Sequence, residues 1–288
     1  MPDLSYDSIE LNREYGPWEY PWRERIDRYL EATGNAHAWH HERTPWGPSI
    51  APPTILGGGT IRFIESIAEL PPGTLHAKFD IEITNALRRD REVVGYGSFT
   101  EKYERRGRRW AVFSVRWREG SGLMVAYAKA SMVFPEKVET DDGPREKRDD
   151  KPRVGELPPV SRTLTQDAIT AYSEDSANHK RGTSIHTDPA VAKEHGFKDS
   201  VAPGMMTADF VSEMMTNEFQ RGWLLNGKLS VAFVQPSFPG DTITATGSHR
   251  EDVEEGSFTR RVYDVWCENQ DGETVTAGTA SAVVAAGG

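Results

Sequence analysis

Cysteine is almost missing from this sequence: Cys267 is the only one in 288 residues. A single thiol excludes an internal disulfide framework, and nothing around it has the spacing of a zinc cluster. Positive charge is also scarce, because 34 Lys and Arg residues stand against 44 Asp and Glu residues, a formal net charge of −10. A general nucleic-acid surface needs a basic face, so we expect no nucleic-acid partner.

Long apolar runs are absent as well. No stretch reaches about 18 consecutive apolar residues, so no membrane span is expected. The first segment, MPDLSYDSIELNREYGPWEYPW, is acidic and aromatic, whereas a secretory signal has a basic region followed by an apolar run. We therefore expect a soluble, cytoplasmic protein. Hydrophobic residues still make up 37% of the chain, which is enough to build a packed core.

A charged segment near the middle of the chain, residues 135–159, contains several prolines and almost no large apolar side chains. Such a segment cannot bury enough surface to offset the entropy lost on ordering it, so we predict a linker. The sequence on each side is long enough for one domain. We therefore expect an N-terminal domain over residues 1–134 and a C-terminal domain over residues 160–288.

The two halves share three segments in the same order, which indicates an internal duplication. The pairs are IDRYLEATGN (26–35) with ITAYSEDSAN (169–178), SIAPPTIL (49–56) with SVAPGMMT (200–207), and, by pattern, residues 95–117 with residues 244–266. The period is too long for a solenoid. Two copies of one domain are the better interpretation.

Each copy is expected to contain a long helix followed by strands. In the second copy, five apolar residues recur at helical spacing over residues 205–220 and predict a core-facing stripe: Met206, Phe210, Val211, Met214 and Met215. The segments that follow are rich in β-branched and aromatic residues, and PGD at 239–241 and DG at 271–272 predict turns. One helix followed by antiparallel strands indicates an α+β fold with the sheet wrapped around the helix.

His186 is the first candidate for chemistry. It precedes the segment DPAVAKEHGF, which predicts a short helix with Asp188 as N-cap, Pro189 at the first position and Gly196 as the stop. A loop ahead of a helix is accessible, so His186 is able to reach a ligand. The alternative, a loop histidine that bonds only a backbone group, stays open.

Gly204 is the second candidate, because it begins the long helix after Ala202 and Pro203. Without a Cβ it lets a ligand approach the backbone closely, and the free N–H groups of a first helical turn can hold a developing oxyanion. Ordinary helix initiation after a proline explains the same residues equally well.

Residues 172–206, YSEDSANHKRGTSIHTDPAVAKEHGFKDSVAPGMM, resemble the signature of the MaoC-like acyl-CoA hydratases and dehydratases, the (R)-specific enoyl-CoA hydratase group. That signature is roughly Tyr, Ser-Gly-Asp, Asn-Pro-x-His-x-Asp, an alanine-bearing helix, Gly-Phe and Ala-His-Gly-Met. The residues that match are His186, Asp188, Ala192, Gly196, Phe197, Ala202, Gly204 and Met205. The family fold is the hot dog, an antiparallel sheet wrapped around one long helix, so the resemblance implies a double hot dog for two fused copies.

The resemblance also implies roles for individual residues. His186 would be the catalytic acid–base, because adding water to an enoyl thioester needs a base for the water and a proton for the α-carbon. Its partner would be Asn178, on which the family's aspartate position falls, or Asp175, three residues earlier. The backbone of Gly204 and Met205 would polarise the thioester carbonyl.

Two further features of the motif concern substrate binding. Pro203 occupies the position at which the family signature has a histidine. Four basic residues give the region local positive charge in an acidic protein, and they would meet the phosphates of coenzyme A: Lys180, Arg181, Lys193 and Lys198. Solvated surface residues are an equally good interpretation of each. The implied substrate is an acyl-CoA or acyl-carrier thioester, no metal or redox cofactor is implied, and the oligomeric state, a homo-oligomer included, stays open.

The first copy departs from this pattern. Asn35 stands opposite Asn178, but no clear counterpart of IHTD follows it, so we expect a degenerate hot-dog domain without the catalytic residues. Gly57, Gly58 and Gly59 disfavour a regular helix and predict a broken or shortened helix that borders an apolar groove for the acyl tail. Three histidines at close spacing lack acidic or cysteine ligands beside them, which argues against a metal site: His37, His40 and His41.

Hydration or dehydration across the 2,3 bond of an enoyl or 3-hydroxyacyl thioester is therefore the leading hypothesis, and two alternatives stay open. A hot-dog thioesterase needs a carboxylate on or near the long helix to activate water. Asp209 and Glu213 lie on the predicted helix, past its first turn. A non-catalytic double hot dog that binds acyl thioesters is favoured by the extra residues before His186 and by Asn178, whose amide cannot take a proton.

Overall fold

The computed structural model describes residues 3–45, 47–140, 154–173 and 184–285. Within these ranges the strands form one ten-stranded antiparallel sheet in the order β1-β3-β4-β5-β2-β7-β10-β9-β8-β6. The strands are β1 (Tyr15–Glu19), β2 (Leu75–Ile83), β3 (Val93–Arg105), β4 (Arg108–Glu119), β5 (Met124–Lys137), β6 (Val160–Thr163), β7 (Lys228–Phe233), β8 (Thr242–Glu255), β9 (Phe258–Glu268) and β10 (Thr274–Ala285).

The strand order is a palindrome, since each strand of the first half has a counterpart at the same distance from the opposite edge. The two halves meet where β2 pairs with β7, with Phe79 opposite Val231 and Ile81 opposite Leu229. The internal duplication and the α+β double hot dog are thereby confirmed, as is the expectation of one continuous sheet, although the sheet has ten strands rather than about twelve.

The longest helices of the two halves lie against this sheet, and both are largely buried. The helices are α1 (Ile26–Thr33), α2 (Ala38–His41), α3 (Ile55–Ile67), α4 (Gln166–Ser173), α5 (Pro189–Glu194), α6 (Gly204–Phe219) and α7 (Arg221–Asn226). All five apolar residues of the predicted stripe on α6 are buried, so the core assignment is confirmed. α1 and α4 pack against each other.

The turns between the later strands follow the local sequence. Gly240 has φ +92° in the turn before β8, and Gly272 has φ +76° in the turn between β9 and β10. Glycine adopts positive φ without steric cost, which is why PGD and DG predict these turns correctly. β5 continues to Lys137 and β6 begins at Val160; residues 141–153 lie outside the described ranges, so the linker and the domain boundaries stay predictions.

The three consecutive glycines do not break the helix, and the expectation of a broken or shortened helix is wrong. α3 runs without interruption through Gly57, Gly58 and Gly59. A Cβ on Gly57 would lie 2.4 Å from Met205 Cε, and a Cβ on Gly59 would lie 2.7 Å from the Tyr20 ring. The glycines allow neighbouring side chains to pack onto the helix backbone, and this burial outweighs their low helix propensity. A regular helix also argues against a wide apolar groove at this place.

The neighbouring glycines of α3 provide a matched stability test. We expect Gly59→Ala to lower the free energy of unfolding by about 1–3 kcal/mol, because its new methyl group overlaps the Tyr20 ring. Gly58→Ala should be neutral or should stabilise by up to about 1 kcal/mol, because its nearest neighbour is Tyr20 Oη at 3.9 Å and alanine favours helix. Urea unfolding of both variants measures the difference, and equal stabilities would contradict the packing role.

Candidate active site

His186 lies in a loop that is held against the segment leading into α6. Its Nδ1 bonds the Val201 carbonyl at 2.6 Å, and the backbone N–H of Val201 donates to the Ile185 carbonyl at 2.8 Å. The helix after the loop begins as the sequence predicts, because the Asp188 side chain accepts from the Ala190 N–H at 2.8 Å and Pro189 is the first helical residue. Gly196 follows this helix with φ +85°. These contacts hold the imidazole against Val201, which lies three residues before Gly204 in the sequence.

The hydrogen bond to Val201 fixes which ring nitrogen of His186 can act as a base. A carbonyl oxygen only accepts, so Nδ1 carries the proton and Nε2 holds the lone pair of the neutral ring. Burial lowers the pKa of His186 below its ordinary value, and the Val201 carbonyl partly opposes this shift. The side chain is half-buried, and Nε2 has no hydrogen-bond partner within the described part of the chain. This shift favours the neutral ring, whose basic nitrogen is Nε2.

Gln166 is a site residue that the sequence reasoning missed. Its Nε2 donates to the backbone carbonyl of His186 at 3.0 Å and to Thr170 Oγ1 at 3.1 Å. A glutamine at the start of a helix carries no distinctive sequence signal, and the histidine it reaches lies 20 positions further along the chain. Gln166 fixes the backbone of His186 from α4, while Val201 fixes its ring.

Gly204 opens α6 with Pro203 as the preceding cap residue. A Cβ on Gly204 would lie 2.6 Å from Phe233 Cγ, so glycine is needed here because the Phe233 ring packs on the helix terminus. The N–H groups of Gly204 and Met205 find no backbone or side-chain acceptor among the described residues, as expected for a first helical turn. Two N–H donors thus lie close in sequence to the carbonyl that holds His186.

Other predicted site residues cannot be placed. Asn178, Asp175, Lys180 and Arg181 all lie outside the described residues. Of the remaining basic residues, Lys198 is exposed and places its Nζ 4.2 Å from the centre of the Phe238 ring, a cation–π contact.

The first half contains a structural counterpart of His186, which the sequence reasoning missed. His40 Nδ1 bonds the Ile50 carbonyl at 2.6 Å, and Ile50 is aligned with Val201 in the repeat that pairs residues 49–56 with 200–207. The same histidine–carbonyl contact therefore occurs in both halves, ahead of α3 and of α6. The order Tyr29, Asn35, His40 matches the order Tyr172, Asn178, His186 and could have revealed the counterpart. The spacing differs, however, because the second copy carries extra residues before its histidine.

The two histidines nevertheless sit in different surroundings. His40 is fully buried, its Nε2 has no partner, and burial lowers its pKa to about 4. Pro53 occupies the repeat position of Gly204 and has no N–H to donate. The first half thus keeps the histidine but lacks both its access and the helix-terminal donor. Within the described ranges, no three His, Cys, Asp or Glu residues are grouped as metal ligands.

Comparison with known proteins identifies the second half. Residues 152–266 match the family model of the MaoC-like domain, and this range contains His186, Gln166 and Gly204. The chain thus matches the MaoC-like domain over this range, which lies in its second half. The match covers the residues that carry the resemblance in the sequence, and the first half lies outside it.

Solved structures extend the likeness to the whole fold. A MaoC-like dehydratase from Phytophthora capsici is 18% identical with a TM-score of 0.72, over 98% of this chain and 99% of that one. HtdX from Mycobacterium tuberculosis is 17% identical with a TM-score of 0.65, over 93% and 98%. A further Mycobacterium tuberculosis protein, described as having a double hotdog fold, is 8% identical with a TM-score of 0.63, over 98% of both chains. No curated protein matches the chain.

A buried polar cluster joins the MaoC-like domain to the first half. The Tyr172 hydroxyl on α4 donates to Asp209 Oδ2 on α6 at 2.7 Å. Tyr29 on α1 is the repeat counterpart of Tyr172, and the two rings are 5.6 Å apart. The Tyr29 hydroxyl lies 3.2 Å from Thr54 Oγ1 at the start of α3. Side chains from both halves therefore converge on one carboxyl group.

Burial dominates the chemistry of this carboxyl group. It raises the pKa of Asp209 to about 7, while the hydroxyls of Tyr29, Tyr172 and Thr54 oppose the shift and Glu213 adds to it. Glu213 itself pairs with Arg162 at 2.8 Å. The two buried carboxylates of α6, Asp209 and Glu213, are thus engaged inside the protein. In the described part of the chain, no helix is long and apolar enough to cross a membrane.

The raised pKa of Asp209 predicts a pH-dependent stability. Its pKa in the folded protein, about 7, exceeds the unfolded value near 3.9, so stability is fully present below about pH 4 and is lost as the pH rises towards 7. Asp209→Asn keeps an acceptor for Tyr172 but cannot ionise. In the wild type, we expect the free energy of unfolding to fall by up to about 1.4 kcal/mol per pH unit between pH 4.5 and 7.5 because of Asp209. This fall should be missing in Asp209→Asn, as measured by urea unfolding across the same range.

The exposed Asp167 supplies the control for this measurement. Asp167→Asn should leave the pH dependence of the unfolding free energy as in the wild type. The prediction fails if the unfolding free energy of the wild type rises between pH 4.5 and 7.5 and Asp209→Asn shows the same pH dependence. Asp209 would then not be a buried, proton-linked carboxyl group.

Proposed function

We propose that the protein hydrates enoyl thioesters, or dehydrates 3-hydroxyacyl thioesters, with His186 as the acid–base. The observation that carries this proposal is the contact between His186 Nδ1 and the Val201 carbonyl, three residues before the helix terminus at Gly204. It holds the imidazole against the segment of chain that leads into two helix-terminal N–H donors. The MaoC-like domain and the double hot-dog fold support the same chemistry.

The proposed step uses these groups in sequence. His186 Nε2 takes a proton from water while the water oxygen bonds C3 of the enoyl group, and the electron pair moves onto the thioester as an enolate. The N–H groups of Gly204 and Met205 bind the enolate oxygen, whose charge exists only after attack. The imidazolium then returns the proton to C2. Dehydration is the reverse path, so no other reactant is consumed.

The remaining roles are proposed from the family signature. Asn178 or Asp175 would orient the water or the imidazole, and only Asp175 is able to take up a proton. Lys180 and Arg181 would meet the phosphates of coenzyme A. The carrier of the thioester is either coenzyme A or an acyl-carrier protein.

The two alternatives have less support. A thioesterase needs a carboxylate that reaches water, but Asp209 is 3% exposed and bonded to Tyr172, and Glu213 is paired with Arg162. A purely binding protein has no need of a histidine with a fixed tautomer and an unoccupied Nε2. Release of free thiol from an acyl-CoA would reveal the thioesterase.

Replacing His186 is the direct test. We expect His186→Ala to lower kcat/KM on crotonyl-CoA by about 10²- to 10⁴-fold, the usual contribution of general acid–base catalysis. Turnover is followed as loss of the enoyl absorbance. Because burial lowers the pKa of His186, the acid limb of the wild-type pH profile should lie below about pH 6.5, the ordinary histidine value.

Two other histidines provide matched controls. His195 is exposed, and its Nδ1 bonds the Val191 carbonyl at 2.9 Å; His195→Ala should retain activity. His40→Ala removes the counterpart in the first half, so it should lower stability and leave kcat/KM of the folded protein unchanged. Near wild-type turnover by His186→Ala would refute the mechanism, and selective loss in His40→Ala would move the site to the first half.

A further inference from the structure

Arg62 on α3 is a charged side chain without a partner. Its Nε and Nη1 atoms are buried and make no hydrogen bond, and no ion pair involves it within the described part of the chain. Arg62 as a whole is partly buried, and burying guanidinium N–H groups is costly unless acceptors satisfy them. The unsatisfied N–H groups of Arg62 are therefore a candidate for binding an anionic group of a ligand.

The space beside Arg62 lies over Gly58. Side chains on a helix lean towards its N-terminus, so Arg62 covers the turn that contains Gly58, four residues earlier. A Cβ on Gly58 would meet only Tyr20 Oη, at 3.9 Å, whereas the positions of Gly57 and Gly59 are filled by their neighbours. The surface of α3 is thus filled at Gly57 and Gly59 and open at Gly58, beside the Tyr20 hydroxyl and on the side towards which the Arg62 side chain leans.

This opening borders the MaoC-like domain. The packing of Met205 onto Gly57 places the first turn of α6 against this stretch of α3. Burial raises the pKa of Tyr172 most and Asp209 adds to the rise, while the positive charge of Arg62 opposes it. Tyr172 bonds Asp209, which lies five residues after Gly204, roughly 7.5 Å along α6. The opening is therefore within a short distance of the helix terminus proposed for the thioester carbonyl.

We propose that Arg62 binds a carboxylate at the far end of the acyl group, so that the preferred substrates are thioesters of short dicarboxylic acids. This inference rests on the proposed placement of the thioester at Gly204. The planar fork of a guanidinium matches a carboxylate through two parallel hydrogen bonds. The side chains packed on Gly57 and Gly59 leave no room for a long apolar tail.

Turnover of a matched pair of substrates tests the inference. Glutaconyl-CoA carries a terminal carboxylate, and 2-pentenoyl-CoA has the same chain length with a methyl end. We expect Arg62→Gln to lower kcat/KM on glutaconyl-CoA by about 10- to 100-fold, the range for hydrogen bonds to a charged group, and to leave 2-pentenoyl-CoA nearly unchanged. An equal loss on both substrates, or no loss on either, would overturn the inference.

Binding of unreactive thioesters separates this inference from the proposed reaction. Wild-type protein should bind glutaryl-CoA about tenfold or more tightly than pentanoyl-CoA, and Arg62→Gln should abolish the preference, as measured by calorimetry. If this holds while neither enoyl-CoA is turned over, the hydratase function fails and the carboxylate site stands. No preference in the wild type, or a preference that survives Arg62→Gln, overturns the site.

A second variant covers the case in which Arg62→Gln fails to fold. Gly58→Leu keeps Arg62 and fills the opening above α3, and it should abolish the preference for glutaryl-CoA in the same assay. Gly58→Ala is its matched control and should retain the preference. Arg13→Gln, which alters an exposed arginine paired with Glu10, controls for loss of one positive charge. A preference retained in Gly58→Leu would also overturn the site.

Discussion

The antiparallel pairing of β2 with β7 is the constraint on which the rest of the structure depends. It joins two half-sheets edge to edge at the centre of the palindrome, with Phe79 opposite Val231. Each half-sheet carries its own helix, so this pairing brings α3 and α6 together on one face. The close contact of Gly57 with Met205 and the shared cluster around Asp209 both exist because the seam holds the halves in register.

Duplication explains both what the two halves share and where they diverge. The histidine–carbonyl contact is retained in each, at the same length of 2.6 Å. Two substitutions then distinguish the halves: Pro53, just before α3, removes the N–H that Gly204 offers, and Gly58 stands where α6 has Asp209. The glycine supplies no counterpart of the buried Asp209 carboxyl group. The second half therefore has both the buried acid, Asp209, and the more accessible of the two histidines, His186.

The sequence is informative where the determinants are local. The Asp188 cap, the positive-φ turns at Gly240 and Gly272, and the apolar stripe on α6 depend on a few neighbouring residues, and all were predictable. The helical state of residues 57–59 was not, because it depends on Tyr20 and Met205, which are distant in sequence and supply the packing that offsets poor propensity. The loop that carries His186 was predictable as a motif, whereas the contacts of Gln166 and His40 became visible only in the folded chain.

The charges around the boundary between the halves show why Arg62 stands apart. Burial lowers the pKa of His186 and raises that of Asp209 to about 7, so desolvation drives both groups towards their neutral forms. Glu213 is compensated by Arg162 at 2.8 Å. An arginine keeps its charge in proteins. Within the described part of the chain, Arg62 has buried N–H groups that no hydrogen bond or ion pair satisfies. Unsatisfied N–H groups of this kind destabilise the fold unless a ligand accepts their hydrogen bonds. In the proposed complex, the carboxylate of the substrate is that acceptor.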